Sequence, residues 1–242
     1  MMTISKQISQ QINQFPEDIL FGYKELNINQ QDYTTAAKAL ERLLKKGVIK
    51  KISKGKFFKP KMTIFGEKKP SEEQILKPYL YNEGKRVAYI TGTYFYNQLG
   101  LTTQIPSTIR IASRDKSITI KTLSVKASPA KSYVDVTEEN YQILGFLDAI
   151  KDLKQIPDID VTLALTVFQT RIKQLNEKQT QGMVEYALAY PSRVRALLGA
   201  ILEAMCIKTN IEILRKSLNP LSSYKLGIST NILPTAPNWN IQ

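Results

Sequence analysis

Residues 32–60, DYTTAAKALERLLKKGVIKKISKGKFFKP, run one amphipathic helix directly into two short, lysine-loaded β-type segments, and few architectures accept that order. Ala36, Ala37, Leu40, Leu43 and Leu44 recur at three- and four-residue steps, so a helix places them on one stripe facing a core. The opposite face holds Thr34, Thr35, Lys38, Glu41, Arg42 and Lys45. Asp32 or Thr34 is positioned to cap the first turn, and Gly47 falls where a helix end favours a left-handed residue. Val48–Ile52 and Lys56–Lys59 then flank Ser53-Lys54-Gly55, a turn in which glycine supplies positive φ without steric cost, and Pro60 closes the second strand.

A helix followed by such a hairpin is expected to be a winged helix-turn-helix. Eight lysines lie between Lys45 and Lys61 with no acid among them. Lys45, Lys50, Lys51, Lys54 and Lys56 are the expected phosphate ligands, whose counterion release makes affinity fall steeply with salt. Base edges in the major groove would be read from the helix by Tyr33, Thr34, Thr35, Lys38 and Arg42. The competing interpretations are a solvated lysine face on a small domain and a protein-binding winged helix.

Charge distribution favours a polyanionic partner. The chain has a formal net charge of +13, and residues 1–69 hold 14 basic side chains against 6 acidic ones. With 242 residues there is room for one large domain or two modest ones. Zero histidines remove Ser-His-Asp and Cys-His catalysis and every histidine-containing zinc site. No run of about 18 apolar residues suggests a membrane span, and no basic-then-apolar leader suggests secretion, so a cytoplasmic chain is expected. Cys206, the single cysteine, sits in an apolar helical stretch and is expected to be a buried small hydrophobe.

Taken in order, Ile4, Ile8 and Ile12 predict a first helix capped by Thr3 or Ser5 and broken at Phe15-Pro16. Residues 18–26 predict a small strand or turn and then a second helix, giving the order helix, helix, recognition helix, wing. Met62–Pro70 mixes glycine, proline and charge and is expected to be a linker. Ser71 starts a helix limited or kinked by Pro78; Val87–Ile90, Thr108–Ala112, Ser117–Leu123 and Val125–Ala127 predict a small mixed sheet. From Thr137 the period becomes helical, with helices opening at Thr137, Asp158, Gln179 and Ser192, before a tail that carries Trp239. The expected fold is α+β: a winged helix-turn-helix over residues 1–66, then a larger mixed domain over 67–242 with a small sheet and a helical C-terminal half.

Three further features invite a chemical reading. Asp158 and Asp160 have the D-x-D spacing of a magnesium-holding nucleotidyltransferase pair, but the upstream residues are Lys154-Gln155-Ile156-Pro157 instead of a glycine-serine turn, so a helix cap explains them more simply. Thr91-Gly92-Thr93 follows a strand as a phosphate-cradling turn would, yet lacks the further glycines and the lysine of a P-loop. Tyr94 and Tyr96, with Tyr89 and Phe95, either stack bases of a single strand, form core or make a partner interface, and Arg193 and Arg195 either pair with acids on a partner, stay solvated or bond within the chain. No catalytic set, metal site or cofactor is expected from these residues, and an enzyme is not the expected reading.

VAYITGTYFYNQLGLTTQIPSTIRIAS (residues 87–113), YPSRVRALLGAILE (190–203) and SLNPLSSYKLGI (217–228), behind the winged-helix start, resemble the AbiEi-like antitoxins of abortive-infection type IV toxin-antitoxin systems. The resemblance implies a DNA-binding antitoxin that represses its own promoter and counteracts a nucleotidyltransferase-like toxin in phage defence. Its implied partners are double-stranded operator DNA and that toxin, with a homo-oligomer left open and no membrane.

Overall fold

The computed structural model describes residues 3–17, 19–53, 55–64, 66–68, 70–122 and 124–242. The chain is a mixed α+β protein that divides into two compact units, Met1–Leu80 with Ile120–Lys126, and Tyr81–Thr119 with Ala127–Gln242. Residues 67–80, assigned by the sequence to the second domain, therefore cluster with the first. No helix among the described residues is long and apolar enough to cross a membrane.

The first unit opens with α1 (Ile4–Gln14), which buries Ile8 and Ile12 as the four-residue spacing predicts. Thr3 occupies the N-cap without a side-chain bond. Strand β1 (Leu20–Gly22) follows, and the helix expected next is absent: residues 23–27 are turns and Gln30–Asp32 one 3₁₀ turn. Glu25 accepts the Gly22 amide at 2.7 Å and Asn27 turns at φ 45°, so local side-chain bonding and a left-handed residue replace a helical ladder.

Helix α2 (Tyr33–Lys45) packs against α1 through Ala36, Ala39 and Leu40, with Leu43 and Leu44 half-buried. Ala37 lies outside this stripe and Ala39 inside it, because burial follows the i, i+3, i+4 set that starts at Ala36. Asp32 holds the N-cap position but makes no side-chain cap, and Gly47 ends the helix at φ 69° as expected. Strands β2 (Lys50–Ser53) and β3 (Lys56–Phe58) form an antiparallel hairpin, and β1 adds to its other edge in the order β1-β3-β2. Phe21 and Phe57 bring the sheet onto the helices, their rings 6.1 Å apart, with Phe15 a further 5.0 Å from Phe21.

The expected linker is instead a second hairpin, β4 (Lys61–Thr63) with β5 (Gly66–Lys68), in register Met62 to Glu67. Positive φ at Gly66, 97°, lets so short a segment reverse. Ser71 then starts α3 (Glu72–Leu80) through a capping box with Gln74, at 2.7 and 3.2 Å, and the helix runs through Pro78 to bury Ile75, Leu76 and Leu80. The segment 120–126 that clusters with this unit carries β10 (Ile120–Lys121).

The second unit begins with a minimal hairpin, β6 (Tyr81–Asn82) and β7 (Lys85–Arg86). Its sheet pairs β8 (Ala88–Thr91) antiparallel to β9 (Ile109–Ser113), which lies parallel to β11 (Lys126–Lys131). Between β8 and β9, Gly92 at φ 75° leads into α4 (Thr93–Gln98). Against the sheet lies α5 (Tyr141–Lys151), buried continuously from Ile143 to Ile150. Around it pack α6 (Val161–Lys173), α7 (Glu177–Ala187) and α8 (Ser192–Ala204), itself buried from Ala196 to Leu202; α9 (Glu212–Lys216) packs on α8. Helices buried on all sides occupy the centre of a core.

One ending differs from the sequence expectation. Cys206 lies beyond α8, exposed, at φ 52°, where the Ile207 amide bonds back to Leu202 and closes the helix with a left-handed turn. The tail packs on the core: Tyr224 bridges to Ile241, and a 3₁₀ turn at Ala236–Trp239 drives the indole onto α8 at Gly199.

Candidate nucleic-acid interface

Residues that α2 does not bury face solvent. Tyr33, Thr34, Thr35, Lys38, Arg42 and Lys45 are exposed along one side of the helix, since Ala36, Ala39 and Leu40 claim the other. Tyr33 is anchored by an aromatic contact with Tyr23 at 5.5 Å, and Tyr23 rests edge-on against Phe57 at 6.3 Å. The helix start and the hairpin thus share one aromatic support. Lys38 and Arg42 have no ion pair among the described residues, while Lys45 meets Glu41 at 3.2 Å across one helical turn. That pair is exposed and worth only a few tenths of a kcal/mol, roughly 0.3–0.5.

On the first hairpin, Lys50 and Lys51 are exposed, and Lys56 is half-buried opposite Gly22. Gly22 has no substitute there, because a Cβ would lie 2.8 Å from the Gly55 carbonyl oxygen. A register shift between Lys51 and Ser53 twists the strand end. Lys54 lies outside the described residues. The row of lysines is acid-free in sequence but not in space: Glu67 on β5 forms an ion pair with Lys50. Recognising Gly66 as a turn between two short runs was the one available signal for that hairpin.

The second unit separates the remaining candidates. Tyr94 is half-buried, whereas Tyr96, expected at a partner interface, is 3% exposed and donates its hydroxyl to Asp152 Oδ2 at 2.7 Å. Arg195 donates to the Ser217 carbonyl at 3.0 Å and Arg193 to the Lys151 carbonyl at 3.3 Å, so both bond within the unit, and only Arg193 is exposed. Asp160 caps α6 by accepting from Thr162 and Leu163 at 2.8 and 3.0 Å; Asp158, at φ 53°, accepts from Gln104 at 2.8 Å. The D-x-D pair thus has structural employment. Thr91 belongs to a buried polar cluster and Gly92 lies against Arg110, where a Cβ would come within 2.9 Å of its side chain.

That cluster went unread in the sequence. Asp148 on α5 is fully buried and accepts from Tyr89 at 2.9 Å, Thr91 at 2.8 Å and Lys151 at 2.8 Å. Asp152, one turn on, faces Lys151 and Arg110, each at 3.7 Å, beside the Tyr96 bond. Burial pushes the Asp148 carboxyl above the usual carboxylate range, against the pull of Lys151, and pushes the Tyr89 and Tyr96 hydroxyls upward with the aspartates beside them. Every polar atom named has a partner, which is the arrangement of a network that specifies one packing of helix on sheet. Among the described residues no three of Asp, Glu, Cys and His converge as a metal site.

A family model described as a family of unknown function (DUF6088) matches residues 7–182. Among curated proteins no relative matches. The crystal structure of the RV2827C protein from Mycobacterium tuberculosis is similar in fold, with a TM-score of 0.53 and 11% identity over 93% of this chain and 84% of that one.

Proposed function

The chain belongs to DUF6088, a family of unknown function, and from that premise we propose that its first unit is a winged helix-turn-helix that binds operator DNA. The observation that carries the proposal is the exposed α2 face of Thr34, Thr35, Lys38 and Arg42 adjoining the lysine-bearing β2–β3 hairpin, with β1 completing a three-stranded sheet. Helix α2 enters the major groove and reads base edges, while Lys51 and Lys56 hold the phosphates on either side. Such contacts separate two tasks: side chains on the helix discriminate sequence, and ammonium groups on the hairpin supply affinity to every sequence.

The resemblance of the second unit to AbiEi-like antitoxins supports an autorepressor that counteracts a nucleotidyltransferase-like toxin, with no catalytic step of its own. DNA binding is tested by anisotropy with the chain's own promoter across a salt series. Replacing Lys51 and Lys56 with glutamine should weaken binding to all sequences and reduce the magnitude of the log K against log salt slope by about 0.9 per lost contact. Unchanged affinity and slope would reject it. Co-expression with a nucleotidyltransferase encoded beside the gene tests the antitoxin role: growth restored by this chain supports it, and growth arrest despite soluble chain rejects it.

A further inference from the structure

The second unit contains a cleft of about 430 Å³ where the end of α5 and the 3₁₀ turn Leu153–Gln155 meet the start of α8 and the segment Ser223–Leu226. Lys154, Arg193 and Lys225 line it, no carboxylate does, and none of the three has an ion pair among the described residues. Two of them donate to carbonyls instead, Lys154 to that of Lys225 at 3.1 Å and Arg193 to that of Lys151 at 3.3 Å. Lys151 also borders the cleft, but Asp148 and Asp152 neutralise it. Three uncompensated cations around one concavity repel each other and concentrate positive potential, an arrangement that a solvated lysine face avoids by spreading its charge.

Two further observations concern polar groups without partners. Helix α8, 13 residues long, has Pro191 at its N-cap and no side-chain cap, and the Ser192 and Arg193 amides have no acceptor among the described residues. Those amides carry the positive end of the helix dipole into the same cleft. Tyr224, which lines the cleft, is 8% exposed, and its hydroxyl, itself shielded from solvent, has no partner among the described residues. The two open amides and the three cations therefore bring donors and positive charge to one concavity, and the Tyr224 hydroxyl adds a buried donor without a partner beside it.

We propose that this cleft binds a condensed phosphate, a diphosphate or triphosphate chain, free or carried by a nucleoside. Three cations with two amides match two to four negative charges spread over linked phosphates, and the volume exceeds what one phosphate fills. The terminal phosphate sits at the α8 amides and the rest of the chain runs along Lys154 and Lys225. None of these residues belongs to the DNA-binding face, and the proposal does not depend on it.

The test is calorimetric titration of the full chain with orthophosphate, inorganic tripolyphosphate and ATP at fixed ionic strength. Saturable binding of tripolyphosphate or ATP, tighter than orthophosphate, is expected, with Arg193→Gln and Lys225→Gln each weakening it about tenfold, while Lys178→Gln, which does not line the cleft, leaves it unchanged. ATP binding tighter than tripolyphosphate identifies a nucleoside-borne chain; equal affinities identify the phosphates alone. Pro191→Asp supplies the missing cap in a residue already at φ −54° and ψ 149°, so it should abolish binding without lowering the melting temperature, an outcome unfolding cannot produce. Wild-type affinity in Pro191→Asp or in both cation variants overturns the site, as does the absence of saturable binding of all three anions.

Discussion

The ammonium of Lys50 on the first hairpin is held by the carboxylate of Glu67 on the second, so the two hairpins of the N-terminal unit are joined by charge. Lys50, like Lys45 beside Glu41, is therefore already paired with a carboxylate in the free protein. Glu67→Gln should release it: DNA affinity rises a few-fold at low salt, and the salt slope steepens by about 0.9 as one more phosphate is contacted. Anisotropy titrations at several salt concentrations measure both. A variant that binds more weakly would show that the pair positions the hairpin for DNA instead of masking a ligand.

Thr35, Lys38 and Arg42 make the opposite kind of prediction. They lie on the exposed face of α2, and no bond within the chain restrains Lys38 or Arg42 among the described residues. Alanine at either Lys38 or Arg42 should cost about 1–3 kcal/mol on the preferred operator and relax choice at one base-pair position, with non-specific affinity changed far less. Selection from a randomised operator library reads this directly. Loss spread evenly over all sequences would move these residues from base reading to phosphate holding.

Legibility followed the range of the interactions. Helix α2 and its Gly47 end were readable because the periodicity and the terminating residue lie within a few positions of each other, although Ala37 and Ala39 could not be told apart when both are alanine. The second hairpin was missed because β4 and β5 have three residues each and little apolar surface; in such a segment pairing, not pattern, makes the strand. Asp148 was missed for a different reason. Its partners Tyr89 and Thr91 stand 59 and 57 residues away, and nothing local distinguishes a buried aspartate from a solvated one on a helix. The phosphate cleft had the same difficulty, since Lys154, Arg193 and Lys225 converge only through the fold.

Asp148 has a pH signature. Burial raises its folded-state pKa above the unfolded value, so between the two the folded chain holds the extra proton, and stability falls as pH rises through that window and is constant above it. Asp148→Asn cannot ionise and lacks that contribution. The amide also leaves at least one of the donors Tyr89, Thr91 and Lys151 without its acceptor, a cost of about 1–3 kcal/mol. Urea unfolding should therefore find the variant less stable than wild type by more at acidic pH than at neutral pH. A deficit that grows from acid to neutral would mean that the Lys151 pair outweighs burial.

Gly199 and Trp239 give the clearest sign test in the second unit. Alanine at a helix-interior glycine ordinarily stabilises by about 1 kcal/mol. Here a Cβ would stand 2.2 Å from the indole ring, too close for any accommodation short of moving the ring. Trp239 is 1% exposed, donates Nε1–H to Glu203 at 2.5 Å and lies beneath the Arg215 guanidinium at 4.8 Å, so displacing it forfeits burial, a charge-assisted bond and a cation–π contact together. Gly199→Ala should destabilise by about 3–5 kcal/mol, the range for removing a large aromatic from a core. Trp239 is the only tryptophan, so emission reports the tail alone, and its maximum should shift to the red before the global transition. Emission unchanged and stability raised would show that helix propensity prevails and that the tail yields without leaving its seat.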